Sequence, residues 1–293
     1  MFRHVDTRVP GEVETQVHAI YRKLFPSGER AFVPRAFEWA TNCFTGKHDG
    51  YLPVDALYHD FEHTLQGTLC LARLLHGRHT AQVAPELDAK TFELGLLAIL
   101  FHDTGYLKKQ GDAEGTGAKY TLIHVTRSTL FAREFLLQKG YSDPDITSIQ
   151  NMIRCTGVNA DLKSIRWKSE LEKIVAYALG TADLLGQMAA HDYVGKLPIL
   201  YQEFAEASRL GGDGASRLAY EGAEELMRTT PAFWEKYVLP KIRGDFENLS
   251  VFLNIPYPSG PNLYIERIEE NIRLLRQHLA GIPVVPPATS KSG

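Results

Sequence analysis

The sequence predicts an all-α fold, on three observations. Apolar residues recur at three- and four-residue spacings along most of the chain, no convincing series of alternating strands is found, and one run, Phe92 to His102, is apolar on nearly every side. At 293 residues the chain can bury a large core, and its 44% apolar and 23% charged content are those of an ordinary globular protein. The expected organisation is N-terminal helices over 1–49 packing on a core over 50–209, a peripheral helical extension over 210–280, and a flexible tail over 281–293.

The elements follow in order. VETQVHAIYRKLF (13–25) is amphipathic, with Val17, Ile20, Tyr21 and Leu24 on one face. A second helix covers Arg35 to Cys43, and a third runs from about Asp60 to His76, with Leu65, Leu69, Ala72 and Leu75 at helical spacing. Phe92 to His102 reads as a buried central helix. The Gly-rich KKQGDAEGTGAK (108–119) reads as a loop. Helical spacing returns from Tyr120 to Lys139, and Gly140 is a natural stop. Asp143-Pro144-Asp145 starts the next helix, through Ile146, Ile149, Met152 and Ile153. Glu170 to Ala190 is a long apolar-rich helix carrying Asp183, and helices fill much of 192–209, 215–229 and 262–280.

Several function classes are disfavoured by composition. A formal charge of −3 with no long Lys/Arg run gives no global attraction to nucleic acid or to an anionic membrane. No stretch reaches the roughly 18 uncharged apolar residues of a membrane span, and MFRHVDTRVPGEVET lacks the apolar region of a signal peptide. Cys43, Cys70 and Cys155 form no CxxC, so a zinc ribbon or disulfide framework is not expected; a cytoplasmic protein with reduced thiols is.

Chemistry concentrates where ionisable groups interrupt apolar runs. Of four His-Asp pairs, His102–Asp103 closes the most apolar helix, and Asp183 lies inside VAYALGTADLLGQMA. A buried carboxylate needs a cation, donors or a metal. In Y58-HDFEH-T64, His59 and His63 are four apart and, if helical, share a face. Two imidazoles and two carboxylates from His63, His102, Asp103 and Asp183 suit a first-row divalent ion with positions left for water.

In this ordered set, H63…H102-D103…D183, the chain resembles the HD superfamily of metal-dependent phosphohydrolases. YHDFEHTLQGTLCLARLL (58–75) is similar to a segment of its cyclic nucleotide phosphodiesterase branch, and the resemblance spans roughly 50 to 205. It implies an HD-domain-like helical bundle, with 50–209 as a metal-binding core. His63, His102, Asp103 and Asp183 would be ligands of one or two divalent ions (Mn²⁺, Fe²⁺, Ni²⁺, Zn²⁺ or Mg²⁺), Asp103 bridging if there are two, and His59 would protonate the leaving oxygen. Small-molecule phosphate esters would be the substrates, and a homo-oligomer is possible.

The chain departs from that pattern. Asp60 replaces the usual asparagine, Cys155 stands where a second further histidine is expected, and no residue aligns with the purine-gripping glutamine. His124 reads evenly as a second-metal or phosphate contact and as a core histidine. Arg127 reads as a phosphate contact or a surface ion pair. Lys108 and Lys109 follow the pair closely enough to contact a phosphate but read more readily as a solvated loop pair, His48–Asp49 reads as a solvated turn, and Asp192 as a helix N-cap. A di-iron oxygenase of the same fold and a catalytically inactive metal- or ligand-binding protein are the alternatives.

Overall fold

Residues 5–157, 160–211 and 220–281 are described by the computed structural model. Among them the chain forms ten α-helices and no strand: α1 (Pro10–Leu24), α2 (Phe32–Phe44), α3 (Phe61–Thr80), α4 (Ala89–Phe101), α5 (His124–Gln138), α6 (Asp143–Arg154), α7 (Glu170–Met188), α8 (Tyr193–Leu210), α9 (Ala223–Phe233) and α10 (Leu263–Leu279). No helix among these residues is long and apolar enough to cross a membrane.

Side-chain caps decide where several helices start. Asp60 accepts the His63 amide at 2.8 Å and opens α3, and Asp88 accepts the Thr91 amide at 2.7 Å and opens α4. Ser142, Ser169 and Asn262 do the same for α6, α7 and α10. The predicted Phe92–His102 helix therefore begins three residues earlier, at Ala89, and hands His102 to its C-terminal cap position. The Tyr120–Lys139 prediction is corrected more substantially. Gly117–Tyr120 is a separate 3₁₀ turn capped by Thr116, and α5 starts only at His124. Gly140, with φ of +79°, ends α5 as expected. Of the helix predicted over 215–229, positions up to 219 lie outside the described residues, 220–222 are not helical, and α9 starts at Ala223; the predicted tail lies outside the described residues from 282 on. Between α9 and α10, two π-type turns (Trp234–Val238 and Lys241–Asp245) and a 3₁₀ turn (Leu249–Leu253) fill a stretch that periodicity left unassigned.

At the centre α3 and α7 lie along one another, α4 packs on both, and α6 packs on α4 and α7. α1 and α2 cover α3 and α4 from one side, whereas α8, α9 and α10 form a second group joined to α7 through α10. α4 is buried along nearly its whole length, as its all-round apolarity requires.

Two glycines set the distances that matter. A Cβ on Gly186 of α7 would stand 2.8 Å from the backbone C and O of Gln66 and from the Gly67 amide, so the two central helices touch backbone to backbone there. A Cβ on Gly105 would lie 2.0 Å from the His124 carbonyl oxygen, which presses the turn after α4 onto the start of α5. Gly186→Ala is expected to cost about 1–3 kcal/mol, the usual penalty for overpacking. Urea denaturation of the two proteins checks it, and an unchanged midpoint would mean the helices part at no cost.

Candidate metal centre

Three helices deliver the site. His63 stands in the first turn of α3, on the amide that Asp60 caps. His102 and Asp103 follow directly from α4, and Asp183 lies on α7 one turn before Gly186. Because α3 and α7 meet at Gly67 and Gly186, one turn from His63 and Asp183, these side chains come together. His63 Nε2 is 3.2 Å from Asp103 Oδ2 and 3.2 Å from Asp183 Oδ1. His102 Nε2 is 3.4 Å and 3.3 Å from the same two oxygens. All four residues are buried, and the ligand atoms of His63, His102 and Asp103 lie within 4.8 Å of one another. This His-His-Asp group can hold a metal ion.

The local chemistry fits a cation better than a hydrogen-bonded network. His102 Nε2, Asp103 Oδ2 and Asp183 Oδ1 are buried and make no hydrogen bond, although ionisable partners stand 3.2–3.4 Å away. They face a common point rather than each other. Ligands about 2.1 Å from one cation are separated from their neighbours by about 3.0–3.4 Å, in octahedral or tetrahedral arrangement. The ring orientations agree. His102 Nδ1 lies 2.7 Å from the Ile99 carbonyl and His124 Nδ1 2.5 Å from the Thr121 carbonyl. A carbonyl only accepts, so both rings carry their proton on Nδ1 and turn Nε2 inward. This outer contact is the one that orients metal-binding histidines.

Without a cation, protons balance the cluster. Burial opposes charge on His63, but Asp103 and Asp183 outweigh it and lift the imidazole to about 10. His102 is raised against the same opposition. Asp103 and Asp183 are held well below the usual carboxylate range, burial being overcome chiefly by His102 and His63. His124 moves the other way: burial lowers it, and Asp103 only partly compensates.

The wall beyond the cluster is more open, with His59 and His124 side chains 15% and 20% exposed against 1–10% for the inner four. His59 is not helical; it lies in the bend before α3, yet its ring centroid is 5.3 Å from that of His63. Its Nδ1 meets Glu203 Oε2 at 2.5 Å. Tyr106, fully buried, stacks on His59 at 4.5 Å and on His124 at 4.8 Å. His124 Nε2 is 3.9 Å from Asp103 Oδ1, so it joins the cluster's edge. Arg127 is engaged elsewhere: Nε donates to the Gly105 carbonyl at 2.7 Å, Nη2 to the Leu107 carbonyl at 2.8 Å, and the guanidinium lies 3.5 Å over Tyr120. It braces the turn that follows Asp103.

Other sequence readings need correction. Lys108 is buried rather than solvated, paired with Asp55 at 2.7 Å and donating to the Gly115 carbonyl at 2.6 Å. Asp192 occupies the N-cap position of α8 but makes no capping bond, and stands 3.7 Å from Lys196 instead. The His48 ring is half-buried in an aromatic stack on Tyr51. Asp60, which replaces the family's asparagine, uses its carboxylate as the α3 cap. Burial pushes the Cys155 thiol up to about 12, which leaves it a neutral and poor ligand.

Sequence reasoning places a helix over 192–209, as α8 bears out, but misses what its side chains hold. Glu203 accepts the Tyr58 amide at 2.7 Å as well as the His59 ring, Lys196 pairs with Glu62 at 2.9 Å, and Glu206 accepts the amide and, at 2.8 Å, the hydroxyl of Thr116. A signal was present. Glu203 falls on the same stripe as Tyr193, Leu197, Leu200 and Ala207, where a surface helix carries apolar residues.

Compared with known proteins, no curated protein matches the chain. Residues 109–254, just under half of its length, match the Npun_R2479-like family. That stretch holds His124, Asp183 and Glu203 and begins just after the His102–Asp103 pair.

Proposed function

We propose that this protein is an HD-type metal-dependent phosphohydrolase that cleaves a phosphomonoester or phosphodiester of a nucleotide-like small molecule. One observation carries the reading: two buried imidazoles and two buried carboxylates face a common point without bonding one another. A divalent ion bound there supplies Lewis acidity toward a water and a phosphoryl oxygen.

The chain's own groups do the rest. Glu203 fixes the Nδ1 proton of His59 and so leaves Nε2 as the nitrogen that gives a proton to the leaving oxygen. Tyr106 holds the His59 and His124 rings at fixed spacing. His124 Nε2, at the cluster's edge, meets a phosphoryl oxygen or a second cation. The buried surroundings of His102 and Asp103 keep water out and strengthen each of these interactions. With His59 held by Glu203 and Cys155 outside the His-His-Asp group, few donors are left for a second iron, and the donor set favours hydrolysis over di-iron oxygen chemistry.

Three outcomes are expected. Asp103→Ala should lose the metal found in the purified protein and lower phosphate-ester turnover by about 100-fold or more, a larger effect than changing an outer-shell partner; elemental analysis with a mono- and diester panel checks both. A fully metal-loaded protein inert across that panel would overturn the reading. His59→Asn and Glu203→Gln should keep the metal but reduce kcat, by about 10²–10⁴-fold for the acid itself, and steady-state kinetics beside metal analysis separates the two losses. Finally, at neutral pH the metal-free His63 holds a proton that a cation must displace, because its imidazole is raised to about 10. Metal affinity should therefore climb by at least about tenfold per pH unit from mildly acid to mildly alkaline conditions; competition titrations read the slope, and a flat profile would contradict the proton balance.

A further inference from the structure

A second site stands apart from the metal centre. Between α5 and the loop before Tyr51 the surface opens into a cleft of about 600 Å³ lined by Lys47, His48, Tyr51, Lys109 and Lys139 among others. A smaller recess of about 110 Å³ shares Tyr51 and Lys109 with it and reaches Thr104, the residue after Asp103. The larger volume is that of a small-molecule site.

Its lysines differ from others in the fold. Lys90, Lys108, Lys119, Lys173, Lys196 and Lys241 each pair with a carboxylate. In the cleft, Lys109 Nζ instead lies 5.9 Å from the Tyr51 ring centre and Lys139 Nζ 5.1 Å from that of Phe135. Ammonium groups held on aromatic rings keep their charge available for an anion. The walls offer more than charge. His48 stacks on Tyr51 at 5.4 Å with planes 20° apart, and meets Phe131 and Phe135 edge-on at 5.5 Å and 5.3 Å. Two carboxylates, Asp49 and Glu134, also line the cleft. They would repel a bare polyanion, but they accept hydrogen bonds from sugar hydroxyls or an exocyclic amine. Cations for a phosphate, ring faces and edges for a planar base, and acceptors for its polar rim coincide in one cleft.

We propose that this cleft binds a nucleoside monophosphate, at a site separate from the metal centre. The phosphate sits among Lys47, Lys109 and Lys139, and the base lies against the His48–Tyr51 wall. A ligand there bears directly on the segment that follows the metal-binding pair. Leu52 donates to the Lys108 carbonyl at 2.9 Å and Gln110 to the Gly50 carbonyl at 2.9 Å, so the two loops move as one.

The test is calorimetry on the full chain as purified, with AMP and GMP as probes and adenosine, guanosine and inorganic phosphate as their halves. A nucleotide is expected to bind, each half to bind at least about tenfold more weakly, and the Lys109→Ala/Lys139→Ala double variant to lose at least about tenfold, or 1.4 kcal/mol. Asp103→Ala is expected to leave the affinity unchanged. Both lysines are exposed, and circular dichroism of the double variant checks that it folds. Binding abolished by Asp103→Ala but insensitive to the lysine changes would place the nucleotide at the metal centre and overturn the proposal. Phosphate binding as tightly as AMP and GMP, or no binding of either at millimolar concentration, would overturn it too. This assignment rests on a site apart from the hydrolase reading, and a repeat titration in excess chelator, which stops metal-dependent turnover, should give the same affinity; the two can therefore fail separately.

Discussion

The backbone contact between α3 and α7 is the constraint on which the rest depends. At Gly186 nothing larger than hydrogen fits between it and the α3 backbone at Gln66 and Gly67, and that closeness brings side chains one turn away, on His63 and Asp183, together. The contact fixes how far apart the two helices stand, and with it the 3.2 Å separation of His63 Nε2 from Asp183 Oδ1. Once there, the cluster penalises their separation, because each buried charge would lose its partners.

The geometry of helix ends does the complementary work. His102 is the C-terminal cap residue of α4 and His124 the first residue of α5, and each ties Nδ1 to a carbonyl three residues earlier. Those carbonyls are available because backbone hydrogen bonding is irregular where helices begin and end. The nitrogen turned toward the cluster is thus chosen by local backbone. Gly105 then lets the two helix ends meet, and Arg127 fixes the turn between them through two carbonyls.

These layers explain what could be read from sequence. Periodicity exposes α4 as a central helix because burial on all sides leaves no polar stripe, and a His-Asp pair at its end stands out against that background. Helix starts are less legible: α5 begins at His124 rather than Tyr120 because Thr116 caps a separate turn first. Pairings between distant residues are hidden altogether. Glu203 reads as one acid in YQEFAEA until the fold puts Tyr58 and His59 beside it, 145 and 144 positions away in sequence. Lys108 reads as a loop lysine until Asp55 and Gly115 enclose it. Arg127 has the spacing of a ligand contact, and only the backbone turn after Asp103 reveals where its guanidinium goes.

α8 contributes none of the four inner groups, yet it grips every outer wall of the centre. Lys196 holds Glu62 at the start of α3, Glu203 holds the segment with His59, and Glu206 holds the loop at Thr116. Lys196 also stands 3.9 Å from Asp60 and 3.7 Å from Asp192, so its hold is shared, whereas parting Glu203 from Tyr58 and His59 would strand a buried carboxylate. Local opening at His59 is therefore tied to α8. How readily the buried cluster is uncovered is then set by the stability of a helix that supplies none of its four groups.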